Sequence, residues 1–185
     1  WETGKTLYSI LHRIMDLTKV EEDTILFKRS DDKNRIEGYL NGELKTIIDI
    51  DKKIYIINGE KIDISNEEIV QDRSGENYRF LYRYKQRSRE KISELIFTVA
   101  SGILASLVSK GISNIALSSI VGWIGTSLLP NYYNDITIYI NSRGTKMKKV
   151  IKSYKDAKYR QYVKTSVSYI TIKKWSYENK KTKII

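Results

Sequence analysis

Polar and apolar positions change period several times along this 185-residue chain, and each change predicts a different element. Over residues 5–20, Leu7, Ile10, Leu11, Ile14, Met15 and Leu17 recur at helical spacing, with Lys5, Arg13, Asp16 and Lys19 mostly opposite. An amphipathic helix lying on a sheet is expected there. From Thr24 the period falls to two, through residues 24–29, 35–40, 44–50, 54–57 and 61–64, which predicts an antiparallel β-meander. Asn41-Gly42 and Asn58-Gly59 stand at two of the junctions and favour tight primed turns, because both residue types accept positive φ at low cost. A further strand over residues 77–84 puts Tyr78, Phe80, Tyr82 and Tyr84 on one face, expected to be buried.

The alternation then stops. From Leu95 to Leu129 the chain carries a single ionisable side chain, Lys110, although 30% of the whole sequence is charged. Two apolar arms around Lys110-Gly111 predict a helical hairpin, with Gly111 able to take a left-handed conformation at the stop and Ser113 or Asn114 capping the second arm. At 1.5 Å per residue the arms would reach roughly 22 Å and 28 Å, close to a hydrocarbon thickness of about 30 Å. Small residues recur every four positions: Ser101, Ala105 and Ser109; Gly102 and Ser106; Ser118, Gly122 and Thr126. Such faces let helices approach closely in lipid. A helix pair apolar all round is equally what the centre of a soluble domain contains.

Beyond Pro130, which ends the second arm, alternation returns over residues 135–141, 146–154 and 162–175, and residues 178–185 read as a fraying tail. The expected fold class is therefore α+β: an N-terminal amphipathic helix, an antiparallel meander and C-terminal strands around an inserted apolar helical hairpin. With one proline and no low-complexity linker, the chain reads as one domain, 1–185, made of a helix-plus-meander part (1–90), the hairpin (91–130) and a basic β-rich part (131–185).

Charge sharpens the picture. Residues 143–185 hold 14 Lys and Arg against Asp156 and Glu178, so they carry a surplus of 12, while the first 142 residues sum to minus one. Lys146, Lys148, Lys149, Lys152, Lys155, Lys158, Arg160, Lys164, Lys173 and Lys174 are the candidate anion-binding side chains. Near anionic headgroups each contributes roughly 1 kcal/mol. The membrane-inserting candidates are Leu95, Ile96, Phe97, Val99, Ile103, Leu104, Leu107, Val108, Ile112, Ile115, Leu117, Ile120, Val121, Trp123, Ile124, Leu128 and Leu129. Gly102, Ser106, Ser118, Gly122 and Thr126 are the candidate helix-packing positions, with Lys110 and Gly111 at the turn.

These features, an apolar small-residue hairpin between β-rich flanks followed by a Lys/Tyr-rich end, resemble the secreted antimicrobial toxin proteins of Gram-positive bacteria, of the sporulation-delaying toxin precursor type. The resemblance implies secretion, permeabilisation of a target cell membrane, an immunity protein or receptor as partner, self-association in the membrane, and no catalytic residues. Trp1 in place of Met suits a processed secreted form.

Other chemistry is sparse. With no cysteine and His12 as the only histidine, disulfides, thiolate sites and multi-histidine metal sites are excluded, and neither a cofactor nor an enzyme is expected. Gly4-Lys5-Thr6 lacks the strand and leading glycine of a phosphate loop. Asp49, Asp51 and Lys53 share a strand face and imitate a nuclease site, although a wet strand face shows the same alternation. Tyr154, Tyr159, Tyr162, Tyr169, Trp175 and Tyr177 among the C-terminal lysines suit stacking on nucleic-acid bases, the alternative partner, and a membrane-anchored immunity or adaptor protein is the other alternative.

Overall fold

The computed structural model describes residues 13–20, 23–86, 92–112, 117–125 and 131–172. It is mostly β, with two antiparallel sheets around an apolar helix, and this corrects the expected α+β fold with an N-terminal helix and a helical hairpin. Sheet A is a six-stranded meander, β1 (Arg13–Val20), β2 (Asp23–Arg29), β3 (Arg35–Leu40), β4 (Glu43–Asp49), β5 (Ile54–Ile57) and β6 (Glu60–Lys61). Sheet B runs β11-β10-β9-β8-β7, from β7 (Ile69–Gln71), β8 (Asn77–Gln86), β9 (Tyr133–Asn141), β10 (Lys146–Tyr154) and β11 (Tyr162–Thr171). Helices α1 (Ile92–Ser109) and α2 (Leu117–Gly125) lie in sequence between β8 and β9.

Residues 13–20 pair with β2 along their length, so the predicted helix is a strand wherever it is described; residues 5–12, with His12, lie outside the described residues. The misreading has a local cause. A register shift between Ile14 and Asp16 sets position 14 opposite Lys28 and position 17 opposite Leu26, so positions three apart share one phase of the pleat and imitate helical spacing. Both Asn-Gly turns adopt the primed form, with positive φ at Asn41, Gly42, Asn58 and Gly59.

A second bulge corrects β8. Its register shifts between Phe80 and Tyr82, so Phe80 stands beside Tyr139 on the outer face while Tyr82 and Tyr84 stand beside Ile138 and Ile136 on the inner one. The four aromatics therefore divide between two faces. The expected strand over residues 61–64 is present only as β6, and the chain beyond it crosses from sheet A to sheet B carrying Ile62 and Ile64, half-buried, against the core.

α1 fills the space between the sheets, and 72% of it is buried. Phe97 stacks on Phe27 of β2 with ring centroids 5.7 Å apart, and the Ser101 and Thr46 hydroxyls lie 2.8 Å apart in full burial. On the other side Gly102 meets the Tyr82 ring so closely that a Cβ would lie 2.2 Å from a ring carbon. The helix ends at Lys110-Gly111 in a Schellman arrangement: Gly111, at φ +77°, donates to the Val108 carbonyl (3.1 Å) and Ile112 donates to that of Leu107 (3.0 Å). α2 has nine residues, about 14 Å of helix, so no second arm of membrane-spanning length is described.

Candidate functional site

Two features bring the predicted functional residues together: the clamped helix and the outer face of sheet B. In α1, Ile96, Phe97, Val99, Ile103, Leu104, Leu107 and Val108 are buried in the common core, and Leu95 packs half-buried against it. Its polar side chains are tied to the walls. Ser93 Oγ donates to Asp23 Oδ2, Asn58 Nδ2 donates to Thr98 Oγ1 at 2.7 Å, and Lys110 Nζ donates to Ser106 Oγ at 3.1 Å. Burial, together with the nearby positive Arg79, holds the Lys110 ammonium below its usual pKa.

Ile120, Val121 and Ile124 of α2 join the same core, Ile112 and Trp123 pack against it, and Gly122 is exposed with nothing described within 4 Å of a Cβ. Gly102 and Ser106 thus serve a helix-to-sheet contact and a local hydrogen bond. Among the described residues Gly122 is not part of a close seam. Leu117 and Ser118 lie on α2, and Ile115, Thr126, Leu128, Leu129, Lys173 and Lys174 lie outside the described residues, as do Trp175 and Tyr177.

The outer face of sheet B is built in cross-strand rows. Phe80, Tyr139, Lys148 and Tyr169 form one row across four strands; Arg83, Thr137, Val150 and Val167 form the next; Lys85, Asp135, Lys152 and Thr165 the third. Tyr133, Tyr154 and Tyr162 close the far end, where Tyr159 packs edge-on against Tyr154 at 5.4 Å. Cations lie over these rings: Lys85 over Tyr159 at 4.4 Å, Lys148 over Tyr78 at 5.5 Å and Lys146 over Tyr169 at 5.6 Å. Arg83 forks onto Asp135, at 2.9 Å and 2.5 Å, while Lys152, Lys155, Lys158, Arg160 and Lys164 are exposed. Exposed Tyr162, Val167 and Tyr169 add apolar surface among these charges. Near the β9–β10 turn, burial and the neighbouring Glu76 and Asp72 carboxylates push the Tyr78 phenol up to about 12.

Lys149 departs from its expected place on this surface. It shares the inward phase of β10 with Met147 and Ile151, is 0% exposed, and donates from Nζ to the Trp123 carbonyl at 2.6 Å while lying 4.3 Å from the centre of the Trp123 ring. That carbonyl belongs to the last turn of α2, where a cation is favourable. Burial lowers the Lys149 pKa to about 8. Between about pH 8 and pH 10 the unfolded chain then keeps a proton that the folded chain has released, so this residue's contribution to stability rises with pH across that window and is lowest below it. Urea midpoints of the native protein and Lys149→Met, taken at about pH 7 and about pH 9.5, should diverge in favour of the native protein at the higher pH. An equal difference at both values would contradict this coupling.

The nuclease-like trio is not assembled. Asp49 ends β4, Asp51 lies in the following turn and Lys53 takes a positive φ of 53°, so the three do not share a strand face. No group of three or more His, Asp or Glu side chains that could hold a metal occurs among the described residues.

Sequence reading missed Phe80, Lys85 and Tyr133 as parts of this face, because strand pairing across the helical segment, and not proximity along the chain, brings them beside the C-terminal lysines, while Tyr78 is buried as expected. The strict alternation of β10 was the available signal, since it fixes which lysines face outward. No family model, curated protein or solved structure matches the chain.

Proposed function

We propose that this is a secreted, membrane-active protein of bacteriocin-like or pore-forming type, which docks on anionic lipid through the outer face of sheet B and delivers α1 to the bilayer. One observation carries the reading: a helix long and apolar enough to cross a membrane lies directly behind a cationic, tyrosine-rich sheet face. Tyrosine rings and lysines together suit the headgroup region, where the rings sit at the interface and the ammonium groups meet lipid phosphates. At 18 residues α1 is about 27 Å long, short of the hydrocarbon thickness by an amount that local thinning absorbs. The inserting element is α1 alone, not a pair of long arms.

Dye release from vesicles tests the reading. Release is expected from vesicles containing phosphatidylserine, far less from pure phosphatidylcholine, and should fall as salt screens the headgroups. Replacing Lys146, Lys148 and Lys152 together by Gln removes roughly 1 kcal/mol each and should weaken vesicle binding about a hundredfold. Equal release from both lipids, or binding indifferent to salt and to the triple variant, would remove the electrostatic step. Tight binding to single-stranded oligonucleotides with no lipid binding would assign the same face to nucleic acid instead.

A further inference from the structure

At the foot of α1 the two sheets part to leave a cleft of about 900 Å³, separate from the outer face of sheet B. Its walls come from four places: Lys53 and Tyr55 at β5, the crossing segment with Ile62 and Ile64, the β7–β8 pair with Ile69 and Arg79, and the end of α1 with Ser109 and Lys110. The volume lies within the range of sites that hold small molecules. Four cations, Lys53, Lys61, Arg79 and Lys110, line it against two carboxylates, Asp63 and Glu67. Asp63 already accepts the Ser65 backbone N–H at 2.9 Å.

Arg79 is the unusual member. Its register partner on β9 is Ile140, a fully buried inner-face residue, so the arginine stands beside an apolar side chain on the inner face. Its Nε is buried with no hydrogen-bond partner, and no carboxylate pairs with it among the described residues. Burying part of a guanidinium without a counter-ion is costly. Close by, the Lys110 ammonium feels Arg79 as a like charge, offset in part by the Glu67 carboxylate that also lines the cleft. Two cations of like charge that line one cleft together with Ile62, Ile64 and Ile69 form a receptor for something that brings a negative head and an apolar body. Ile69, 62% exposed at the mouth, is then covered by the ligand and not left in water.

We propose that this cleft binds a single amphiphile with an anionic head, a carboxylate or a phosphate monoester on an alkyl chain. Arg79 and Lys110 hold the head; Ile62, Ile64 and Ile69 hold the chain. The site goes beyond surface docking, since it takes one molecule on the inner side of sheet B and needs no bilayer.

Isothermal titration of the full chain with decanoate and with decyl phosphate, below their micellar concentrations, tests it. One molecule of each should bind. Arg79→Gln and Lys110→Gln should each weaken binding by about tenfold or more, as expected for the loss of a charge-assisted hydrogen bond. Decyltrimethylammonium, with the same chain and the opposite charge, should not bind, and inorganic phosphate should bind far more weakly than decyl phosphate. Both glutamine variants should keep native binding to phosphatidylserine vesicles, whereas the Lys146/Lys148/Lys152 variant should lose vesicle binding and keep decanoate. The proposal is overturned if no decanoate binds, if the cationic amphiphile binds equally well, if phosphate alone binds as tightly, or if folded Lys110→Gln binds decanoate as the native protein does. Should Arg79→Gln fail to fold, Lys110→Gln, half-buried at the turn that ends α1, still decides the matter.

Discussion

A disulfide placed between positions 46 and 101 should slow dye release at least tenfold while leaving vesicle binding intact. Thr46 on β4 and Ser101 in the middle of α1 are both 0% exposed, and their hydroxyl oxygens are 2.8 Å apart, so sulfur atoms in their place come within bonding reach with little movement of either backbone. The native chain has no cysteine, which leaves one disulfide that Thr46→Cys with Ser101→Cys can form. The docking face lies on the far side of sheet B and is untouched by the bond. Oxidised protein should therefore bind phosphatidylserine vesicles as the native protein does but release dye at least tenfold more slowly, and dithiothreitol should restore release. If the oxidised and reduced forms are equally lytic, α1 stays in its body during lysis and its insertion is excluded.

Gly102→Ala should destabilise the fold by about 2 kcal/mol, against the trend for a glycine inside a helix. Helix propensity alone favours alanine by about 1 kcal/mol. Here a Cβ would lie 2.2, 2.4 and 2.7 Å from three atoms of the Tyr82 ring, distances that force the whole ring or the helix aside in a close-packed core. Tyr82→Leu should relieve the clash, so Gly102→Ala made in that background should cost little or even stabilise, a coupling that a double-mutant cycle on urea midpoints will show. Gly122→Ala is the internal contrast: exposed, with open space at its Cβ, it should gain about 0.5–1 kcal/mol. A rise in midpoint for Gly102→Ala would contradict the packing described between α1 and β8.

Local chemistry made part of this fold legible. The alternation of β2 to β5, the primed turns at Asn41-Gly42 and Asn58-Gly59, the helix after Ile92 and its stop at Gly111 all follow from signals within a few residues. What failed depends on a partner elsewhere in the chain. One bulge in β1 gave a strand the spacing of a helix, and another in β8 moved Phe80 and Tyr82 to opposite faces of a sheet that a single strand cannot reveal. The apolar run announced a long hydrophobic element but not its lid: whether such a helix is wrapped by two sheets or offered to lipid is decided by strands up to 70 residues away, as Ser93 and Asp23 illustrate. Lys149 is the instructive case within the candidate surface. Its charge placed it among the binding lysines, while its phase with Met147 and Ile151 already marked it as inward.

β8 and β9 pair directly although both helices lie between them in sequence. The helical segment is thus a detour that leaves and rejoins the same ladder. In evolutionary terms it is a cassette. The residues that join it to β8 and β9 can change in number without re-pairing either sheet, since loop closure between adjacent strands depends only weakly on the number of residues spanned, whereas the buried face of α1 is held to the shape of both sheets. Within positions 87–131, substitutions should therefore gather in the residues that join the helices to the strands and spare core positions such as Phe97, Ser101 and Gly102.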